Sequence, residues 1–265
     1  MRPRPDTLLN TADIELWPAW LLRARGSADA RILSRAGRVL RRKRDGRYLA
    51  AALDSGLMPL VPRLAREPGI GDALDLLDAL DAPRRSAPAV PGDLPLEDLR
   101  GRLEGLGLDE DYATRTGLCL VAEPEWLLLA GFDRYRRPLW LRPAAARAWH
   151  AMRAAAAADG VALDAISGYR SHDYQLGIFE RKLARGQTVA QILQVNAAPG
   201  YSEHHGGDAL DIGTPGAPPA EESFEATPAF AWLSGHAAAH GFSMSYPRGN
   251  PHGIVHEPWH WRFVR

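Results

Sequence analysis

A proline at position 258 restricts this chain more than any other single residue. It stands inside His256-Glu257-Pro258-Trp259-His260, a run with the H-E-x-x-H spacing that, on a helix, sets two histidines on one face around a metal. Pro258 opposes such a helix, because its ring clashes with the carbonyl four residues back and it biases Glu257 toward extended backbone. In a helix interior the penalty is about 3 kcal/mol. Gly253, Ile254 and Val255 upstream are poor helix formers, and no N-cap residue stands where a helix could begin at Pro258. Downstream, Trp259, Trp261 and Phe263 alternate with His260, Arg262 and Val264, which is the two-residue period of a strand. The expectation is a strand with His260 on the face opposite the tryptophans.

One histidine and one carboxylate cannot hold a catalytic metal, so a third ligand must come from elsewhere. Residues 199–213, PGYSEHHGGDALDIG, supply candidates: His204 precedes a Gly206-Gly207 pair that permits a tight loop, and Asp211 follows on an expected strand. With His260 they give two imidazoles and one carboxylate, leaving a fourth tetrahedral position for water. Glu257, close to His260 in sequence, is then the base beside that water. His205 and Asp208 lie in the same segment and compete as ligands. Among the other histidines, His150, His236, His240, His252 and His256 are read first as packing or surface residues; the alternatives are metal binding by His236 and His240, four apart on an expected helix, and a place at the cleft entrance for His252 and His256.

Residues 1–81 read as a helical region: Ile32, Leu33, Ala36, Val39 and Leu40 recur at helical spacing, as do Leu74, Leu77 and Leu80. The basic run at 38–47, RVLRRKRDGR, reads as a solvated helix face and its exit loop. Residues 82–111 read as a Pro/Ala-rich linker followed by a short helix. From residue 112 to 265 short strands and helices alternate. TGLCLV, RPLWLR, VALDAIS, DALDI, FSMSYP and WHWRFV are the expected strands. Helices are expected from Pro143 to Gly160, after Ser171, and after Thr227. The fold class that follows is α+β, a small antiparallel sheet flanked by helices, with a helical N-terminal region.

Lys and Arg balance Asp and Glu at 32 each, so no overall field points to nucleic acid or acidic lipid. The single cysteine, Cys119, excludes an intramolecular disulfide framework and a cysteine-based zinc cluster. No apolar run reaches the roughly eighteen residues of a membrane span. Asp6, Asp13 and Glu15 interrupt the amino end where a secretory signal would be apolar. The expected location is therefore cytoplasmic, or periplasmic if a leader precedes this sequence.

SEHHGGDALD fits S-x-H-x-x-G-x-A-x-D, EPWHW fits E-x-W-H, and SGYRS precedes both. In this order the three motifs resemble the VanY-like D-alanyl-D-alanine carboxypeptidases, metallopeptidases whose wider superfamily includes lysostaphin-type endopeptidases and the hedgehog domain. The resemblance covers roughly residues 112–265. It implies zinc held by His204, Asp211 and His260, Glu257 as catalytic base, and Arg170 contacting the substrate near the scissile carbonyl or terminal carboxylate. Ser202 and Gln175 fall at positions implied to line the substrate cleft. The implied activity is removal of a C-terminal D-alanine from peptidoglycan stem peptides, as a D,D- or L,D-carboxypeptidase. The alternatives are a peptidoglycan endopeptidase and a non-catalytic, zinc-stabilised binding module.

Overall fold

The computed structural model describes residues 6–81, 90–96, 99–108 and 111–264, so most of the expected linker (82–89) lies outside the described residues. The chain divides into two compact units, one of Met1–Leu94 with Pro124–Leu128, the other of Pro95–Glu123 with Leu129–Arg265. Among the described residues no helix is long and apolar enough to cross a membrane.

The first unit corrects the helical reading of residues 1–81. Five antiparallel strands, β1 (Thr7–Asn10), β2 (Ile14–Pro18), β3 (Ala36–Arg42), β4 (Tyr48–Leu53) and β5 (Gly56–Pro59), pair in chain order. Trp126, Leu127 and Leu128 extend the sheet beyond β1. Among the described residues of this unit only α1 (Ser27–Leu33) and α2 (Ile70–Asp81) are α-helical. The apparent helical period ran across a junction: Ile32 and Leu33 end α1, while Ala36, Val39 and Leu40 belong to β3. Leu74 and Leu77 of α2 pack on Leu9, Ile14, Leu16 and Leu40 of the sheet.

The basic run at 38–47 is likewise a strand and its turn rather than a solvated helix face. Arg38 and Arg42 are buried because their guanidinium groups find partners inside the unit. Arg38 Nη1 donates to the carbonyls of Thr7 (2.8 Å) and Leu16 (3.1 Å), and Arg42 bridges Asp45 (2.5 Å) and Glu67 (2.7 Å).

The second unit has the expected α+β composition. Its elements are α3 (Leu99–Gly105), α4 (Tyr112–Thr116), β6 (Trp126–Phe132, whose first residues belong to the first unit), β7 (Pro138–Leu141) and α5 (Pro143–Ala158). They continue with β8 (Asp164–Ser167), α6 (His172–Leu183), α7 (Val189–Leu193), β9 (Ala209–Gly213), α8 (Pro228–His236), β10 (Phe242–Met244) and β11 (His260–Phe263). Four of these strands form an antiparallel sheet in the order β10-β11-β9-β8. Local chemistry sets the helix starts: Pro143 occupies the first turn of α5, and the side chains of Ser171 and Thr227 accept from the Tyr174 and Phe230 N–H groups.

Two boundaries differ from expectation. TGLCLV is not a strand, since it joins no ladder; Leu118 instead enters a core with Leu108, Tyr112, Ala198, Tyr201, Tyr246 and Ile254. Leu103 of α3 packs on the same core. The short helix expected after the linker therefore belongs to the second unit, which begins before residue 112.

Candidate metal centre

Strand register does most of the assembly. In the antiparallel pairing of β11 with β9, His260 lies directly opposite Asp211, and Asp211 is also opposite Ser167 of β8. Directly opposed residues have Cβ atoms about 5 Å apart, so these side chains share one patch of the sheet. His204 comes from the single turn Glu203–Gly206 that leads into β9. Gly207 ends that turn at φ 73°, a left-handed conformation that glycine adopts without strain. One ligand atom from each of His204, Asp211 and His260 lies within 4.8 Å of the others, and all three residues are buried.

Hydrogen bonds fix which nitrogen each imidazole presents. His204 Nδ1 lies 2.8 Å from the Gly168 carbonyl, which can only accept, so Nδ1 carries the proton. Nε2 is left with its lone pair 3.3 Å from Asp211 Oδ1, buried and without a hydrogen-bond partner. Burial, aided by the Arg170 charge, pushes the His204 pKa down to about 4, keeping the ring neutral. Gly168 is needed for this approach: a Cβ there would stand 2.8 Å from Leu139 Cδ1 and 2.9 Å from the Trp140 carbonyl.

His260 is held through its other nitrogen. Nε2 donates to Glu203 (2.8 Å), and Nδ1 faces Asp211 Oδ1 at 3.2 Å. Glu203, which the sequence reading did not single out, also accepts from Ser245 Oγ (2.6 Å) and Arg262 Nη1 (3.1 Å). Burial disfavours charge on all of these groups, but their mutual attraction prevails. His260 is pushed up to about 10, Glu203 falls to about 2, and Asp211 falls well below the carboxylate range. A divalent metal taken up by His260 Nδ1, an Asp211 oxygen and His204 Nε2 would require that Nδ1 be free of a proton, so binding would be coupled to proton release. Two imidazole nitrogens and one carboxylate, with an orphaned buried Nε2 among them, fit a catalytic zinc site.

Glu257 Oε2 is 4.0 Å from His260 Nδ1. Its N–H donates to the Tyr246 carbonyl (3.0 Å) and its carbonyl accepts from the His260 N–H (3.1 Å), so the turn through Pro258 is braced at both ends. Burial, opposed by His260, raises the Glu257 pKa to about 7. Arg170 Nη2 is 3.9 Å from Asp211 Oδ2, and its buried Nε has no hydrogen-bond partner.

The weaker candidates separate. Ser202 is buried at the start of the 203–206 turn without capping it. Gln175 is buried in α6, its Nε2 donating to the Ala197 carbonyl (3.0 Å) and its Oε1 unpartnered. Neither competing ligand joins the centre: Asp208 Oδ2 lies 3.7 Å from Arg142 Nε, and both ring nitrogens of His205 bond to backbone groups. His252 bonds to the Thr116 carbonyl and His236 to that of Trp232.

A small antiparallel sheet that gathers two imidazoles and a carboxylate, with an arginine and a second carboxylate at hand, defines a protein with a candidate metal site of the catalytic type. The family model for D-alanyl-D-alanine carboxypeptidase, VanY, matches residues 138–265. The Enterococcus gallinarum bifunctional D-Ala-D-Ala dipeptidase and D-Ala-D-Ala carboxypeptidase VanXYC is 30% identical over 148 residues, which are 54% of this chain and 75% of that protein. YodJ of Bacillus subtilis, a carboxypeptidase by name, is 36% identical over 143 residues, 50% of each chain. A solved vancomycin resistance D,D-pentapeptidase VanY, in complex with Zn(II), is 30% identical with a TM-score of 0.40, covering 48% of this chain and 74% of that one. The chain belongs to the VanY D-alanyl-D-alanine carboxypeptidase family. It spans half the length of YodJ and three quarters of VanXYC.

Proposed function

We propose that this chain is a zinc-dependent carboxypeptidase that removes a C-terminal D-alanine from peptidoglycan stem peptides. The observation that carries the reading is the convergence of His204, Asp211 and His260 within 4.8 Å beside a carboxyl raised to about 7. In this reading His204 Nε2, an Asp211 oxygen and His260 Nδ1 hold the metal. Zinc bound there supplies Lewis-acid polarisation of the scissile carbonyl and acidifies water toward a pKa of about 7. Glu257 takes the proton of the attacking water and hands it to the leaving amine, a role worth about 10²- to 10⁴-fold. A carboxyl with a pKa near neutrality suits both halves of that task. Arg170, with free donor capacity, binds the substrate's terminal carboxylate through a planar fork that lysine could not reproduce. Family membership supplies the substrate class.

The test is mass spectrometry of tetrapeptide and pentapeptide stem fragments incubated with the zinc-loaded chain. Release of one alanine, abolished in Glu257→Gln at unchanged zinc content, is the expected result. Equal turnover by Glu257→Gln would refute the assigned base. Equal cleavage of a peptide whose terminus is blocked as an amide would favour an endopeptidase.

A further inference from the structure

Two adjacent histidines on the 203–206 turn reach back to the same short segment. His204 Nδ1 donates to the Gly168 carbonyl (2.8 Å), and His205 Nδ1 donates to the Arg170 carbonyl (2.7 Å). Between them the Arg170 N–H donates to the His204 carbonyl (3.2 Å). The turn that carries a proposed metal ligand and the backbone that carries the arginine are thus closed by three hydrogen bonds.

His205 has no other task in the site. Its Nε2 accepts the Gly200 N–H (3.0 Å), and its exposure is 0%. With both nitrogens engaged, one as donor and one as acceptor, the ring is a single neutral tautomer with no nitrogen left for a metal. Its edge meets His172 at 4.4 Å between ring centres. The His172 N–H donates to buried Glu123 (2.7 Å), which also accepts from the Tyr169 hydroxyl (2.5 Å). Residues on both sides of Arg170 are therefore anchored to Glu123, and Arg170 itself to the turn. The backbone of Arg170 is held throughout, while its Nε remains buried and unpartnered.

We propose that His205 is a positioning residue: it sets the origin of the Arg170 side chain relative to the metal-holding turn, and thereby the preference for substrates that end in a free carboxylate. The inference rests on the carboxypeptidase reading above. A misplacement of about 1 Å costs about 10²-fold in well-aligned sites, so the loss should be large although His205 touches no substrate.

The experiment compares zinc-loaded full chains carrying His205→Ala, His205→Asn and His205→Gln. The asparagine amide can place its N–H where the Nδ1–H stood, and the glutamine amide cannot. For each, kcat/KM is measured on one D-alanine-ended peptide with a free carboxyl terminus and on its amide, together with zinc affinity by chelator competition. His205→Ala is expected to lower the free-carboxyl rate about 10- to 100-fold and to collapse the carboxyl-to-amide ratio, with zinc affinity within about twofold of the parent. His205→Asn should restore most of the ratio, and His205→Gln should not. If the alanine variant fails to fold, the asparagine–glutamine pair decides alone. An unchanged ratio in His205→Ala, equal ratios for asparagine and glutamine, or a ratio that falls only with zinc affinity would overturn the inference while leaving the carboxypeptidase reading intact. A parent chain that hydrolyses neither peptide would overturn both.

Discussion

In the first unit the guanidinium of Arg38 is enclosed by partners: Nη1 donates to two carbonyls and Nη2 to Thr7 Oγ1 (2.9 Å). In the second unit Arg170 has a buried Nε with no hydrogen bond, and its Nη2 stands 3.9 Å from Asp211 Oδ2. Burial is unfavourable to either charge; for Arg38 it is strong enough to bring the pKa down to about 10. The difference lies in what the chain offers in return. A buried donor or acceptor left without a partner costs about 1–3 kcal/mol, and the second unit tolerates this at the Arg170 Nε donor and again at the His204 Nε2 lone pair. Closed hydrogen bonding serves the fold. Open capacity, concentrated around one patch of sheet, is what a ligand can use.

The sharpest way to break this comparison is Arg170→Met. It should lower kcat/KM on a free-carboxyl peptide about 10²- to 10³-fold, the scale seen when one preorganised donor is removed. Thermal stability should stay level or rise slightly, because an unpaired buried donor disappears. A variant that keeps its rate and loses several degrees of melting temperature would make Arg170 a structural arginine like Arg38.

A second prediction uses the raised pKa of Glu257 in the metal-free chain. A carboxyl whose pKa is about 7 folded and near 4.5 unfolded stabilises the fold fully below about pH 4.5. That contribution is lost as pH rises through about 7. The shift corresponds to about 3 kcal/mol. Buried His204, held down to about 4, acts the other way over much of this window, so the comparison is between proteins. In denaturant unfolding, relative to Glu257→Gln, the chelated parent should lose stability as pH rises from about 4.5 to about 7. Glu203 acts in the opposite direction and in another window. Its pKa of about 2 makes its contribution complete above about 4.5 and lost on acidification. Identical pH slopes in the parent and in Glu257→Gln would assign the titration to other groups.

Why the sequence revealed one unit better than the other follows from where the deciding forces act. Pro258 and the alternation after it are local, so β11 could be expected from a handful of residues, and Ser171 and Thr227 announced their helices in the same way. The short apolar runs around Ile32–Leu40 fit a helix or a strand equally. What makes β3 a strand is its pairing with β2 on one side and β4 on the other, which no short window contains. Arg38 misled for a related reason: its partners Thr7 and Leu16 lie 31 and 22 residues away. Glu203 escaped notice although it sits beside His204. Its meaning comes from His260 and Arg262, 57 and 59 residues downstream. A carboxylate that steadies another residue's ring leaves no mark in local spacing.

That steadying role can be sharpened by Glu203→Gln. The amide still fills the space but no longer offers two anionic acceptors to His260, Ser245 and Arg262. Removing the group that orients a ligating imidazole typically lowers metal affinity about 10- to 100-fold. Chelator competition at fixed pH should therefore show weaker zinc binding, with Glu203→Asp intermediate. Unchanged affinity would mean that Asp211 and the strand pairing alone hold His260 in place.

The smallest effect is expected where the hydrogen bonding is closed. In Arg38→Met two influences oppose each other. The thioether side chain keeps much of the buried stem and removes a charge that burial disfavours, whereas Thr7 Oγ1 and two carbonyls lose their donor. Each lost hydrogen bond to a charged group is worth about 1.5–3 kcal/mol, and relief of charge burial offsets most of it. The net destabilisation should be about 1 kcal/mol, read as a lower denaturant midpoint at unchanged slope. Peptide hydrolysis at a temperature where both proteins are folded should be unaffected. Loss of hydrolysis in a fully folded Arg38→Met chain would show that closed hydrogen bonding does not mark a residue as structural, and the contrast with Arg170 would lose its meaning.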